Sequence, residues 1–124
     1  MENKIRTFQN LKVWQESREL VSQIYKKTDL FPRQEQFALT DQIRRASISI
    51  PSNISEGFGR RTIKDKVHFY TMALGSLNEV LNQLLISKDL KYINEKDWRD
   101  LEERVIIIGK MLNGLVKKSH LLHS

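Results

Sequence analysis

The apolar residues of this chain recur at helical spacing almost from end to end, and that pattern leaves few folds open. It is clearest over residues 63–90, where Ile63, Val67, Tyr70, Leu74, Leu77, Leu81 and Leu84 alternate steps of 4 and 3. Such a heptad seam occupies one face of a helix. Trp98, Leu101, Val105, Ile108, Leu112 and Leu115 repeat the pattern over residues 95–118. Thr62 with Asp65, and Asn94 with Glu95 and Asp97, are N-cap signals with acids in the first turn. Lys117 and Lys118 suit a C-terminal end for the same electrostatic reason, and a frayed tail is expected from Ser119 onward.

Two more helices are expected upstream. The first covers residues 11–28, with Trp14, Val21, Ile24 and Tyr25 as its stripe, supplemented by Val13 and Leu20; Phe31–Pro32 then breaks the chain. The second covers residues 34–59, with Ile43, Ala46, Ile50, Ile54 and Phe58 facing inward. Four helices, short connections and no strand alternation predict an all-α, antiparallel up-and-down four-helix bundle forming one domain over residues 1–124. Phe69, Met72, Ala73, Gly75, Ser76 and Val80 lie off the third seam, and Ile106 and Ile107 beside the fourth. These residues form either a second apolar face buried against another subunit or one broad contact face within the bundle.

The second helix contains the most unusual stretch, DQIRRASISIPSNISEGFGRR from Asp41 to Arg61. Pro51 cannot donate to the Ser47 carbonyl, and in a helix interior this costs about 3 kcal/mol unless the helix bends or other groups compensate. Ser47, Ser49, Ser52, Asn53 and Ser55 can bond nearby backbone groups, so a single helix kinked near Pro51 is favoured over a second helix starting at Ser49 or Ile50. Arg45, Ser49, Ser52, Glu56 and Arg60 share one polar face, with Glu56 and Arg60 an i,i+4 pair. This face either meets a partner or is simply solvated. Gly57 and Gly59 close the helix, Gly59 in the left-handed conformation. GFG follows a helix rather than a strand, which rules it out as a phosphate loop.

The runs IRRASISIPSNISEGFGRR and ALGSLNEVLNQL closely resemble the four-helix-bundle proteins encoded in intervening sequences of bacterial 23S ribosomal RNA genes. FQNLKVWQESRELVSQIYKKT and the FP turn fit the same family, so the resemblance spans residues 7–115. Its specificity lies in Arg45, Ser49, Pro51, Asn53, Glu56, Gly57 and Arg60 in fixed order. Ser55 stands where alanine is usual, and Lys91 where glycine often ends the third helix. The resemblance implies a bundle that assembles into a homo-oligomeric ring, a pentamer in known members. A related branch, the accessory proteins of diversity-generating retroelements, implies a basic barrel that binds nucleic acid and a reverse transcriptase.

Charge leaves two readings open, an ordinary soluble surface with slightly more Lys than Glu or a surface for an acidic partner. The net charge is +6, and the first 66 residues carry 13 Lys/Arg against 8 Asp/Glu. That excess permits RNA or DNA as partner, with Arg44, Arg45, Arg60, Arg61, Lys64 and Lys66 as candidate phosphate contacts. The competing assignment is a protein-interaction scaffold in which the arginines pair with Glu56 and Glu79 of neighbouring subunits.

Nothing in the sequence indicates an enzyme. With no Cys, thiolate metal sites and disulfides are excluded. Asp65 and His68 are only two ligands at i,i+3, and Asp97, Asp100, Glu102 and Glu103 are explained by a helix start. No cofactor or metal motif is present. The longest apolar run, Val105 to Ile108, is far short of the ~18 residues of a membrane helix, and the N-terminus has no apolar signal core; a cytoplasmic protein without a membrane partner is expected.

Overall fold

The computed structural model describes residues 5–122. Four helices follow one another: α1 (Lys12–Thr28), α2 (Leu39–Phe58), α3 (Ile63–Asp89) and α4 (Glu95–Leu122). Two single 3-10 turns, Phe8–Asn10 and Arg33–Glu35, precede α1 and α2. The helices form an antiparallel bundle. The α1–α2 and α3–α4 connections meet at one end, where the Phe31 and Tyr92 rings lie 5.4 Å apart and Tyr92 Oη donates to Glu35 at 2.9 Å. The start of α1, the α2–α3 turn and the end of α4 lie at the other. Among the described residues no helix is long and apolar enough to cross a membrane.

The expected N-caps form. Thr62 Oγ1 accepts from Asp65 N at 3.1 Å, and Asn94 Oδ1 accepts from Asp97 N at 2.8 Å. The second helix begins later than residue 34. Residues 33–38 read as helix formers, but Glu35 is used twice: its carboxylate accepts from the Leu39 N–H at 3.4 Å as well as from Tyr92. The chain resets at Ala38 (φ −126°, ψ −106°) before α2 starts. α2 then runs unbroken through Pro51, so no second helix starts there. Side chains on either side bond the local backbone, Ser47 Oγ to Arg44 O at 2.8 Å, Asn53 Nδ2 to Ser49 O at 2.9 Å and Ser55 Oγ to Ser52 O at 3.0 Å. Gly59 ends α2 in the right-handed region (φ −79°, ψ −7°), not the left-handed one expected. The left-handed residue is Lys91 (φ 64°) after α3, where Tyr92 N donates to Ser87 O and Lys91 N to Lys88 O, both at 2.9 Å. This is a Schellman closure made with a side chain in the glycine position. α4 continues past residue 118 because Ser119 is buried and returns a bond to Leu115 O, so the expected fraying at Ser119 does not occur; His123 and Ser124 lie outside the described residues.

The seams of α2 and α4 pack as their spacing predicts, with Phe58 and Leu115 half-buried at their ends. The others are rotated. In α3 the buried line is Tyr70, Ala73, Leu77, Val80, Leu84 and Ser87, while Leu74 and Leu81 are half-buried flanks. In α1, Val13, Ser17, Leu20, Ile24 and Thr28 are buried, Trp14 and Val21 flank them, and Tyr25 is exposed. Ser17 lies on the buried line of α1 and Ser87 at the end of that of α3. Ser17, Ser87 and Ser119 sit in the interior because each hydroxyl bonds the carbonyl four residues back, which removes the cost of burying it. Gln83 is the exception: its buried Oε1 has no hydrogen-bond partner among the described residues.

Candidate nucleic-acid interface

The six candidate cations do not form one surface. Arg44 points inward across α1: its Nε donates to Thr28 Oγ1 at 2.8 Å and its Nη2 to Asp29 Oδ1 at 2.9 Å and Tyr25 O at 3.3 Å. Its guanidinium carbon lies 4.5 Å from the centre of the Tyr25 ring. It closes the C-terminus of α1 rather than displaying charge. Lys66 does the same for α2, donating to the carbonyls of Phe58 at 2.7 Å and Gly57 at 3.3 Å. A cation at the carbonyl end of a helix is favoured by the helix dipole. Partial burial draws the Lys66 pKa below the ordinary lysine value.

Arg45 is exposed and pairs with Asp41 at 2.9 Å. About 20 Å of helix separates it from the end of α2. Arg60 pairs with Glu56 at 3.1 Å and lies over the Phe69 ring, 4.6 Å from its centre. Both ion pairs are local i,i+4 pairs on the surface, each worth only tenths of a kcal/mol, and are readily exchanged for a phosphate. Arg61 and Lys64 are exposed, and neither has a hydrogen bond or ion pair among the described residues.

The anticipated polar face of α2 is largely exposed, at Arg45, Ser52, Glu56 and Arg60, and touches α3 at two points. Ser49 Oγ meets Ser76 Oγ at 2.8 Å, and Arg60 stacks on Phe69. Asn53 Nδ2 also reaches Ser49 Oγ at 3.0 Å. Gly57 makes the close approach possible, since a Cβ there would stand 2.6 Å from the Tyr70 ring and 3.1 Å from Phe69 Cβ. Part of the supposed second apolar face of α3 is thus internal: Ala73 and Val80 are buried, and Phe69 and Ser76 half-buried. Met72, Ile106 and Ile107 remain outside, 45%, 48% and 41% exposed.

Chain topology adds cations that linear reading missed. Leu11, Val13, Met111 and Leu115 line one surface groove, which places the start of α1 beside the end of α4. Lys12, Lys117 and Lys118, all exposed, therefore share the bundle end that carries Arg60, Arg61 and Lys64. The sequence offered Lys117 and Lys118 only as partners of a helix dipole; antiparallel packing makes them neighbours of residues more than fifty positions away. Acidic groups are sparse on the turn itself, where Glu56 and Asp65 stand near four Lys/Arg in residues 60–66.

Elsewhere the chemistry is thin. Among the described residues no group of three or more His, Asp or Glu is placed to hold a metal ion. A groove between α1 and α4 is lined by Glu16, Gln23, Asp100, Glu103, Arg104 and Ile107. Glu16 and Arg104 are bound to each other across it at 2.7 Å.

Residues 9–114 match the family described as 23S rRNA-intervening sequence protein. No curated protein matches the chain. Among solved structures the chain is similar to a protein of unknown function from the S23 ribosomal protein family of Bacteroides thetaiotaomicron VPI-5482. Identity is 25%, coverage is 85% of this chain and 95% of that one, and the TM-score is 0.78.

Proposed function

Because this chain belongs to the 23S rRNA-intervening sequence protein family, we propose that it is a non-enzymatic, oligomeric adaptor of the cytoplasm that holds nucleic acid by its phosphate backbone. The observation that carries this reading is the α2–α3 turn and the start of α3, where Arg61 and Lys64 are exposed without partners among the described residues and Arg60 is held by a surface ion pair and the face of the Phe69 ring. Guanidinium and ammonium groups of this kind suit phosphate contacts, which position a nucleic acid without reading its sequence. A ring of copies would repeat this basic end and strengthen the field that a single +6 chain provides. Binding is then sequence-tolerant and falls steeply with salt, because releasing condensed counterions into a more concentrated solution gains less entropy. A mobility-shift series from low to physiological salt tests it: affinity that stays flat across the series overturns the reading, as does unchanged affinity in the Arg61→Gln/Lys64→Gln variant.

A second reading is a protein scaffold with no nucleic-acid partner. It is favoured by the internal use of Arg44 and Lys66 and by the exposed Met72, Ile106 and Ile107. Under it, substituting Arg45 or Arg60 dissociates the oligomer in light scattering. Under the adaptor reading, substituting Arg61 and Lys64 weakens binding and spares assembly.

A further inference from the structure

Beside the exposed cations of the α2–α3 turn is a cluster of flat groups that reaches the surface. Arg60 lies over the Phe69 ring at 4.6 Å, and the exposed His68 ring meets the same ring at 5.3 Å with the planes 75° apart. Glu56 holds the Arg60 guanidinium from the side at 3.1 Å, leaving its outer surface available. Lys64 stands on the first turn of α3, four residues before His68, and Arg61 on the turn that leads into the helix. The arrangement joins π-faces for bases to cations for phosphates, the combination that binds unpaired strands.

We infer that the α2–α3 turn and the first turns of α3 are a binding site for single-stranded nucleic acid, with separate bases stacked on the His68 ring and on the Arg60 guanidinium while Arg61 and Lys64 hold the adjoining phosphates. The inference rests on the adaptor reading and narrows it. A duplex keeps its base faces stacked inside and offers this platform only phosphates. An unpaired strand offers both, because unstacked bases can lie on histidine rings and guanidinium planes. The Arg60–Glu56 pair does not compete, since stacking uses the face of the guanidinium and the ion pair its edge.

The test uses the full chain with a 20-nucleotide single strand carrying one 2-aminopurine, and a duplex of the same sequence. Fluorescence anisotropy follows binding and 2-aminopurine emission follows stacking. The expected result is single-strand binding tighter than duplex binding by on the order of tenfold, with quenched emission. His68→Ala, an exposed position that leaves the fold intact, then weakens single-strand binding by about fivefold or more and leaves duplex binding unchanged. Arg61→Gln with Lys64→Gln weakens both and lowers the salt slope by about 1.5. Equal binding of both forms, unchanged emission or a silent His68→Ala variant overturns the single-strand site while leaving phosphate binding standing. If neither nucleic acid binds at low salt, the adaptor reading falls as well.

Discussion

Gly57 and Tyr70 show how little room a single residue has in this bundle. The buried Tyr70 ring, 2% exposed, occupies the space a Cβ at position 57 would need. Gly57→Ala gains helix propensity but forces the ring or the helix pair to shift, and overpacking of this kind costs about 1–3 kcal/mol. Chemical denaturation should show a lower midpoint at unchanged slope. Burial also raises the Tyr70 pKa above 10.0. The unfolded tyrosine ionises near pH 10 while the folded one keeps its proton, so its contribution is intact below that pH and lost as pH rises through the folded value. Stability curves of wild type and Tyr70→Phe should therefore run parallel from pH 7 to 9 and diverge above 10, with the variant losing less.

At the scale of the element, helix ends decide where this fold can be changed. Lys91 closes α3 at φ 64°, a conformation that costs a residue with a Cβ about 1 kcal/mol and glycine almost nothing. Lys91→Gly should raise stability by about 0.5–1 kcal/mol, read as a higher thermal midpoint. Arg44 closes α1 through Thr28, Tyr25 and Asp29 from one guanidinium. Arg44→Ala leaves these groups without their donor and should destabilise by about 1.5–3 kcal/mol. If Arg44 acts only between the helices, single-strand affinity in the folded variant changes less than twofold; a larger loss would return it to the phosphate contacts.

For the whole molecule, antiparallel packing decides which exposed groups share a surface. The basic end gathers cations from the start of α1, the α2–α3 turn and the end of α4, while Ile106 and Ile107 stay exposed on the side of α4. If those isoleucines bury against a second copy, each contributes up to about 2 kcal/mol to the contact. Replacing both with serine should then reduce the mass seen by light scattering to that of a smaller assembly, with the helical circular-dichroism signal unchanged. An unchanged mass would remove this side of α4 from the interface.

The four helices, their caps and their order were legible in the sequence because apolar spacing and capping are local: Thr62 with Asp65, Asn94 with Asp97, and the Ile43–Ile54 line need no distant partner to be recognised. The run around Pro51 carried the family for the same reason, being a fixed order of neighbours. What needed tertiary structure was every choice between equivalent local options. Ser17, Ser87 and Ser119 read as polar, yet their back-bonded hydroxyls are cheap to bury, and all three lie inside the bundle. Arg44, Arg45, Arg60, Arg61, Lys64 and Lys66 are alike as charges in a sequence. Only packing put Arg44 and Lys66 onto helix carbonyls and hydroxyls, laid Arg60 on Phe69, and left Arg61 and Lys64 in solvent. A residue's type fixes its charge, but its free energy of contact depends on which groups the fold places within a few ångströms, and those groups come from other helices.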